Sequence, residues 1–119
     1  MYPVFIPSKG RPNPKTLRHI PDSVLVVEPQ DYGMYRSCNP KADIIILEEN
    51  DRGYSYVMQF ILDLARSLNI DFYWVVDDDF SQFYRNDNNK KNIKITGKEA
   101  LEGAEQILSK VNDWGQGCL

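Results

Sequence analysis

The stretch "FYWVVDDDFSQFYR", residues 72–85, decides how the rest of the chain is read. An aromatic and β-branched run, the composition of a buried strand, passes directly into Asp77, Asp78 and Asp79. Adjacent carboxylates repel one another, and each prefers water. Such a strand end is explained by a bound cation, by a phosphate-bearing ligand held through one, or by a solvated turn.

Working outward, three further apolar runs have strand length: "PVFIP" (3–7), "SVLVVE" (23–28) and "DIIILE" (43–48). Their apolar residues are consecutive rather than alternating, which suits strands buried on both faces of a parallel sheet covered by helices. Between the third run and "FYWVV" (72–76), the residues Tyr54, Val57, Met58, Ile61, Leu62, Ala65 and Leu68 recur at three- and four-residue steps. That spacing predicts a helix over 54–68 with one core-facing stripe, capped by Asn50 or Asp51. "NPKTL" predicts a short first helix, with Asn13 as cap and Pro14 at the first helical position. "TGKE" has the capping-box pattern, Thr96 with Glu99, and Ala100, Leu101, Ala104, Ile107, Leu108 and Val111 follow as a buried face. The order strand, helix, strand, strand, helix, strand is that of an α/β fold with a mostly parallel sheet.

In open α/β sheets ligands bind outside the carboxyl ends of the strands. The residues after each run are "SKGRP", "EPQDY", "EENDRG" and "DDDF", so polar and charged groups collect at one edge. By the period of two, Asp77 and Asp79 point to one side of the strand and Asp78 to the other. Two carboxylates on one side suit a hard cation, Mn²⁺ or Mg²⁺, which would neutralise a leaving diphosphate. Lys9 and Arg11 can meet negative charge, and Gly10 lets backbone approach a ligand; a surface turn with incidental charges is the other reading. Glu28 has the chemistry to accept a uracil imide N–H, and Tyr32 or Tyr35 to stack on a base, against simple packing of the tyrosines.

Taken together, "VFIPSKGRP", "VVEPQDY", "ILEENDRGYSYVMQFILDLAR" and "FYWVVDDDF" resemble GT-A glycosyltransferases and, more narrowly, the TET-associated glycosyltransferase family, over residues 2 to about 85. That family occurs mainly in bacteriophages and is linked to glycosylation of modified DNA bases. The resemblance implies a UDP-sugar-type donor and a divalent metal at Asp77 and Asp79. It also implies donor contacts from Pro7, Ser8, Lys9, Gly10, Arg11, Glu28, Tyr32, Asn50, Arg52, Gly53, Asp77 and Asp78, and a modified-DNA acceptor. A GT-A domain continues past its D-x-D strand into an acceptor-binding half. Little chain follows Arg85, so residues 1–119 are expected to be the nucleotide-sugar-binding part, with the acceptor half supplied by a second chain or missing. Of the later carboxylates, Asp87 and Asp113 are the first to test as a base, and no catalytic residue is assigned. A donor-binding chain without turnover and a nucleotidyltransferase are the alternatives; the second lacks its longer glycine-rich first loop.

The composition bounds these readings. The 119 residues are 42% hydrophobic and 26% charged, ordinary for one globular domain. With net charge −3 and pI near 5.1, there is no overall basic field for a phosphate backbone, and "NNKKNIK" (88–94) reads as a polar loop. Cys38 and Cys118 stand without metal-ligand spacing, which suits reduced thiols. "MYPVFIPSKGR" lacks signal-peptide organisation, and no run approaches the ~18 apolar residues of a membrane span. A cytoplasmic location without membrane contact is expected.

Overall fold

A computed structural model describes residues 1–86 and 92–109. The chain divides into two compact units, Tyr2–Phe80 and the segment from Ser81 onward.

The first unit is an α/β layer structure. Strands β1 (Val4–Pro7), β2 (Val24–Val27), β3 (Asp43–Ile46) and β4 (Trp74–Val75) form an all-parallel sheet in the order β3-β2-β1-β4. The helices between them are α1 (Lys15–His19), α2 (Tyr32–Cys38, entered through a 3-10 turn at Pro29–Asp31) and α3 (Tyr54–Ser67). Phe5 pairs with Val24 and Val75, and Val24 with Asp43. One sheet face buries Phe5 and Val26 against Leu47 and Ile61, with Val57, Phe60 and Leu64 of α3 packed around them. The alternate positions Val4, Ile6, Leu25 and Val27 are equally buried. The two central strands are therefore covered on both faces, which is why their sequences are apolar without alternation. The end strands β3 and β4 are only partly covered.

Several local expectations shift. Helix α3 starts at Tyr54 as expected, but its cap is Gly53, at φ 86° and ψ 177°, a conformation open mainly to glycine. Asn50 and Asp51 are unavailable as caps because Asn50 Oδ1 accepts the Gln30 N–H and Asp51 Oδ1 binds Lys9. The ends of its stripe, Tyr54 and Leu68, are exposed. The helix closes in a Schellman arrangement: Ile70 N–H donates to Ala65 O, Asn69 N–H to Arg66 O, and Asn69 takes φ 57°. Helix α1 begins one residue later than expected, with Pro14 at the cap and no side-chain capping bond. Helix α2 was not anticipated: it contains Gly33, and Tyr35 is its one buried residue, so it has no apolar stripe to announce it.

In the second unit, β5 (Phe83–Asn86) and β6 (Asn92–Ile95) form an antiparallel pair, Phe83 opposite Ile95. The basic stretch expected as a loop thus includes part of a strand, while residues 88–91 lie outside the described residues, as do Asp87, Val111, Asp113 and Cys118. Helix α4 (Gly97–Leu108) begins at the expected capping box: the Glu99 N–H donates to Thr96 Oγ1 at 3.1 Å. Leu101 is fully buried, but Ile107, expected on the same face, is 68% exposed. Thr96→Ala is expected to lower stability by about 1 kcal/mol, read as a small fall in the urea midpoint. Among the described residues no helix is long and apolar enough to cross a membrane.

Candidate functional site at the carboxyl edge of the sheet

The strand order places a topological switch between β1 and β4. From β1 the chain proceeds to β2 and β3 on one side and returns to place β4 on the other. Crevices at such points, outside the carboxyl ends of the strands, are where open α/β sheets hold ligands. The loop after β1 carries Ser8–Arg11 and the turn after β4 carries Asp77–Asp79, so the two most unusual segments of the sequence meet there.

Their contact is direct. Regular strand ends at Val75 and Asp78–Asp79 form a turn, yet the alternation expected for the aspartates persists in burial: Asp77 and Asp79 are exposed, and Asp78 is 5% exposed. The Asp78 carboxylate accepts the Ser8 hydroxyl at 2.6 Å and pairs with Arg11 Nη2 at 3.1 Å. Arg11 Nη1 also lies 3.9 Å from Asp79 Oδ2. Two carboxylates therefore converge on one cationic group. A cleft of about 400 Å³ opens here, lined by Gly10, Arg11, Pro12, Asn13, Pro14, Lys15, Asp78 and Asp79. A cleft of similar size, about 440 Å³, lies along α3 between Glu48 and Ser67. Its described lining has no lysine or arginine, so it lacks the charge a diphosphate requires.

Thr16, fully buried in α1, holds the acidic turn in place. Its hydroxyl donates to Asp77 O at 2.5 Å and accepts the Phe80 N–H at 2.9 Å, and its own N–H reaches Asp78 O. The backbone groups of a turn too short to satisfy itself are thus met by a helix 61 residues away in sequence. Thr16→Val keeps the volume and removes both hydroxyl bonds. It is expected to cost about 1–3 kcal/mol, read as a lower urea midpoint at unchanged slope; an unchanged midpoint would show that the turn does not depend on this clamp.

A second cluster joins the loops after β1, β2 and β3. Lys9 Nζ binds Asp51 Oδ1 at 2.5 Å and approaches Glu28 Oε1 at 3.6 Å. Glu28 is 5% exposed; it accepts the Gln30 side-chain amide at 2.7 Å and the Asp51 N–H at 2.8 Å. Gly10, at φ 65°, turns its N–H onto Asp31 Oδ2. The hydrogen bond with Asp51 raises the Lys9 pKa and, reciprocally, lowers that of Asp51. The stability this pair supplies is lost as pH falls through the depressed Asp51 value or rises through the elevated Lys9 value. Both side chains are more than half exposed, so the contribution is small and screened by salt.

The edge thus brings together Ser8, Lys9, Gly10, Arg11, Glu28, Asn50, Asp78 and Asp79 of the expected residues, with Pro7 ending β1 beneath them. Arg52 is occupied with Glu49 and lies 5.2 Å from the Tyr56 ring centroid. Tyr32 contacts Arg36 within α2. Tyr35, a candidate for base stacking, is instead completely buried. Its hydroxyl lies 2.5 Å from Ser8 Oγ and accepts the Arg11 N–H at 3.0 Å. Burial pushes its phenol above the ordinary tyrosine range, and the hydrogen bonds with Ser8 and Arg11 counter this only in part. Gln30, Asp31 and Asp51 lie in the segments "EPQDY" and "EENDRG" expected at this edge without being singled out as site residues. Thr16 had no sequence signal as a site residue, because its partners are remote in sequence.

No curated protein and no solved structure matches the chain. The model of the family described as TET-Associated Glycosyltransferase matches residues 2–117, extending past residue 85 where the motif resemblance stops, and the chain belongs to that family of glycosyltransferases.

Proposed function

We propose that the chain binds a nucleotide-sugar donor of the UDP-sugar type at the β1–β4 switch point and serves as the donor-binding part of a transfer to a hydroxyl on a modified DNA base. The observation that carries this reading is the Arg11–Asp78–Asp79 constellation opening on a cleft at the carboxyl edge of the sheet. Arg11 and Lys9 supply the positive charge for a diphosphate, Arg11 with a planar fork that matches phosphate oxygens. Glu28, Asn50 and Gly53 lie on the loops that would hold the base and ribose.

The acidic turn fits a hard divalent cation, Mn²⁺ or Mg²⁺. Its donors are carboxylate oxygens, and Asp79 already faces a cationic group, the Arg11 guanidinium, at 3.9 Å. Asp77 and Asp79, both exposed, would hold the ion while Asp78 stays committed to Ser8 and Arg11. No group of three or more ligating side chains is preformed among the described residues, so donor phosphate oxygens and water would complete the shell. Such an ion, when bound, offsets the charge on the departing diphosphate. In transfer, the bond from the anomeric carbon to the diphosphate oxygen breaks, the acceptor oxygen forms the new bond, and the acceptor proton leaves to a base.

Titration calorimetry with UDP, with and without Mn²⁺, tests donor binding; tighter binding with Mn²⁺ is expected, and no binding in either condition would overturn the reading. Sugar incorporation into hydroxymethylated but not unmodified DNA tests the acceptor.

A further inference from the structure

The hydrogen bonds around Asp78 have a definite polarity. Ser8 has one hydroxyl proton and donates it to Asp78 Oδ2. In the short contact between Ser8 and Tyr35 the phenol must therefore be the donor. The phenol oxygen in turn accepts the Arg11 N–H. A directed chain runs from the Arg11 amide through the Tyr35 hydroxyl and the Ser8 hydroxyl to the Asp78 carboxylate. The circuit is closed by the Arg11 guanidinium on the other oxygen of the same carboxylate, Oδ1.

We infer that Tyr35 is the positioning residue of the donor site: its buried phenol ties the backbone of Arg11 and, through Ser8, the carboxylate of Asp78 to one fixed point in the core. This rests on the donor-binding reading above and extends it to a residue that would not touch the ligand. The ring is fully buried on a helix with no other buried residue, so α2 presents to the core little besides this one anchor. Without the hydroxyl, Ser8 loses the donor that orients it and the Arg11 amide loses its acceptor. The loop after β1 then no longer has a unique distance to the acidic turn, and preorganisation for the diphosphate is lost.

The test is a double-mutant cycle read by calorimetry with UDP and Mn²⁺, well below the melting temperature of every variant. Tyr35→Phe keeps the ring and its packing, and Ser8→Ala breaks the same chain from a small side chain should the first variant fold poorly. Each is expected to weaken UDP binding about tenfold, and the double variant by no more than either single one, because residues acting as a unit are non-additive. Ile61→Val, which thins the core away from this chain, lowers the melting temperature and leaves the affinity unchanged. Unchanged affinity in Tyr35→Phe and Ser8→Ala, or fully additive losses, would overturn the inference while the donor site stands. Absence of UDP binding by the parent protein would remove the site itself and the inference with it.

Discussion

Asp78→Ala is expected to weaken donor binding at least about a hundredfold and to lower stability as well. Asp78 is the one carboxylate of the acidic turn withdrawn from water, at 5% exposure, and it is tied to both Ser8 and Arg11. Without the carboxylate, Arg11, whose side chain is 62% exposed, has no buried anchor to aim it at the diphosphate, and a hundredfold loss corresponds to about 2.8 kcal/mol. The stability loss has a separate origin. The Ser8 hydroxyl, 8% exposed as a residue, is left without its acceptor, a penalty of about 1–3 kcal/mol. Asp78→Asn separates the two effects, since it keeps an acceptor for Ser8 and removes the charge that faces Arg11. Calorimetry should show weak binding for both variants, and denaturant melts should show a clear loss only for the alanine. Parent-like affinity in the asparagine variant would mean that the Arg11–Asp78 pair is purely structural.

Asp79→Ala should do the reverse: abolish the effect of Mn²⁺ on UDP affinity and leave the fold untouched. The Asp79 side chain is 62% exposed and its contact with Arg11 is long, 3.9 Å. Exposed pairs of this kind contribute about 0–1 kcal/mol, and deletion also relieves repulsion from Asp77 and Asp78. Stability is therefore expected within about 0.5 kcal/mol of the parent. The carboxylate is nevertheless one of the two exposed oxygen donors of the turn, and a cation held by Asp77 has no obvious replacement for it. UDP titrations with and without Mn²⁺ should coincide for the variant. A variant that still gains affinity from Mn²⁺ would place the cation elsewhere.

Together with the Thr16 and Tyr35 variants, these two aspartates divide the edge into parts that hold the site and parts that would meet the ligand. The division follows burial. Thr16, Tyr35, Ser8 and Asp78 are buried and engaged with one another or with backbone, while Lys9, Arg11 and Asp79 are exposed. Both of these exposed cations are balanced by carboxylates, Lys9 by Asp51 and Arg11 by Asp78 and Asp79. A diphosphate would displace the exposed partners Asp51 and Asp79 from those cations while the buried Asp78 keeps Arg11 in place, and a divalent ion would ease the exchange by occupying the exposed aspartates of the turn.

What depends on near neighbours is legible along the chain. The four apolar runs as strands, the α3 stripe around Ile61 and the Thr96 capping box are local patterns and read correctly, because strand propensity, helix period and cap chemistry act over a few residues. Burial on both faces held only for β1 and β2. The gathering of "SKGRP" and "DDDF" at one edge was also legible, since parallel strands present all their carboxyl ends on the same side. Tertiary structure decided the partners. Ser8 meets Tyr35 across 27 residues, Lys9 meets Asp51 across 42, and Thr16 meets Asp77 across 61. Only the order β3-β2-β1-β4 puts the loop after β1 beside the acidic turn, and only that proximity turns Tyr35 from a stacking candidate into a buried anchor. A polar side chain takes the partner that folding brings within hydrogen-bonding distance, and no spacing along the chain encodes that distance.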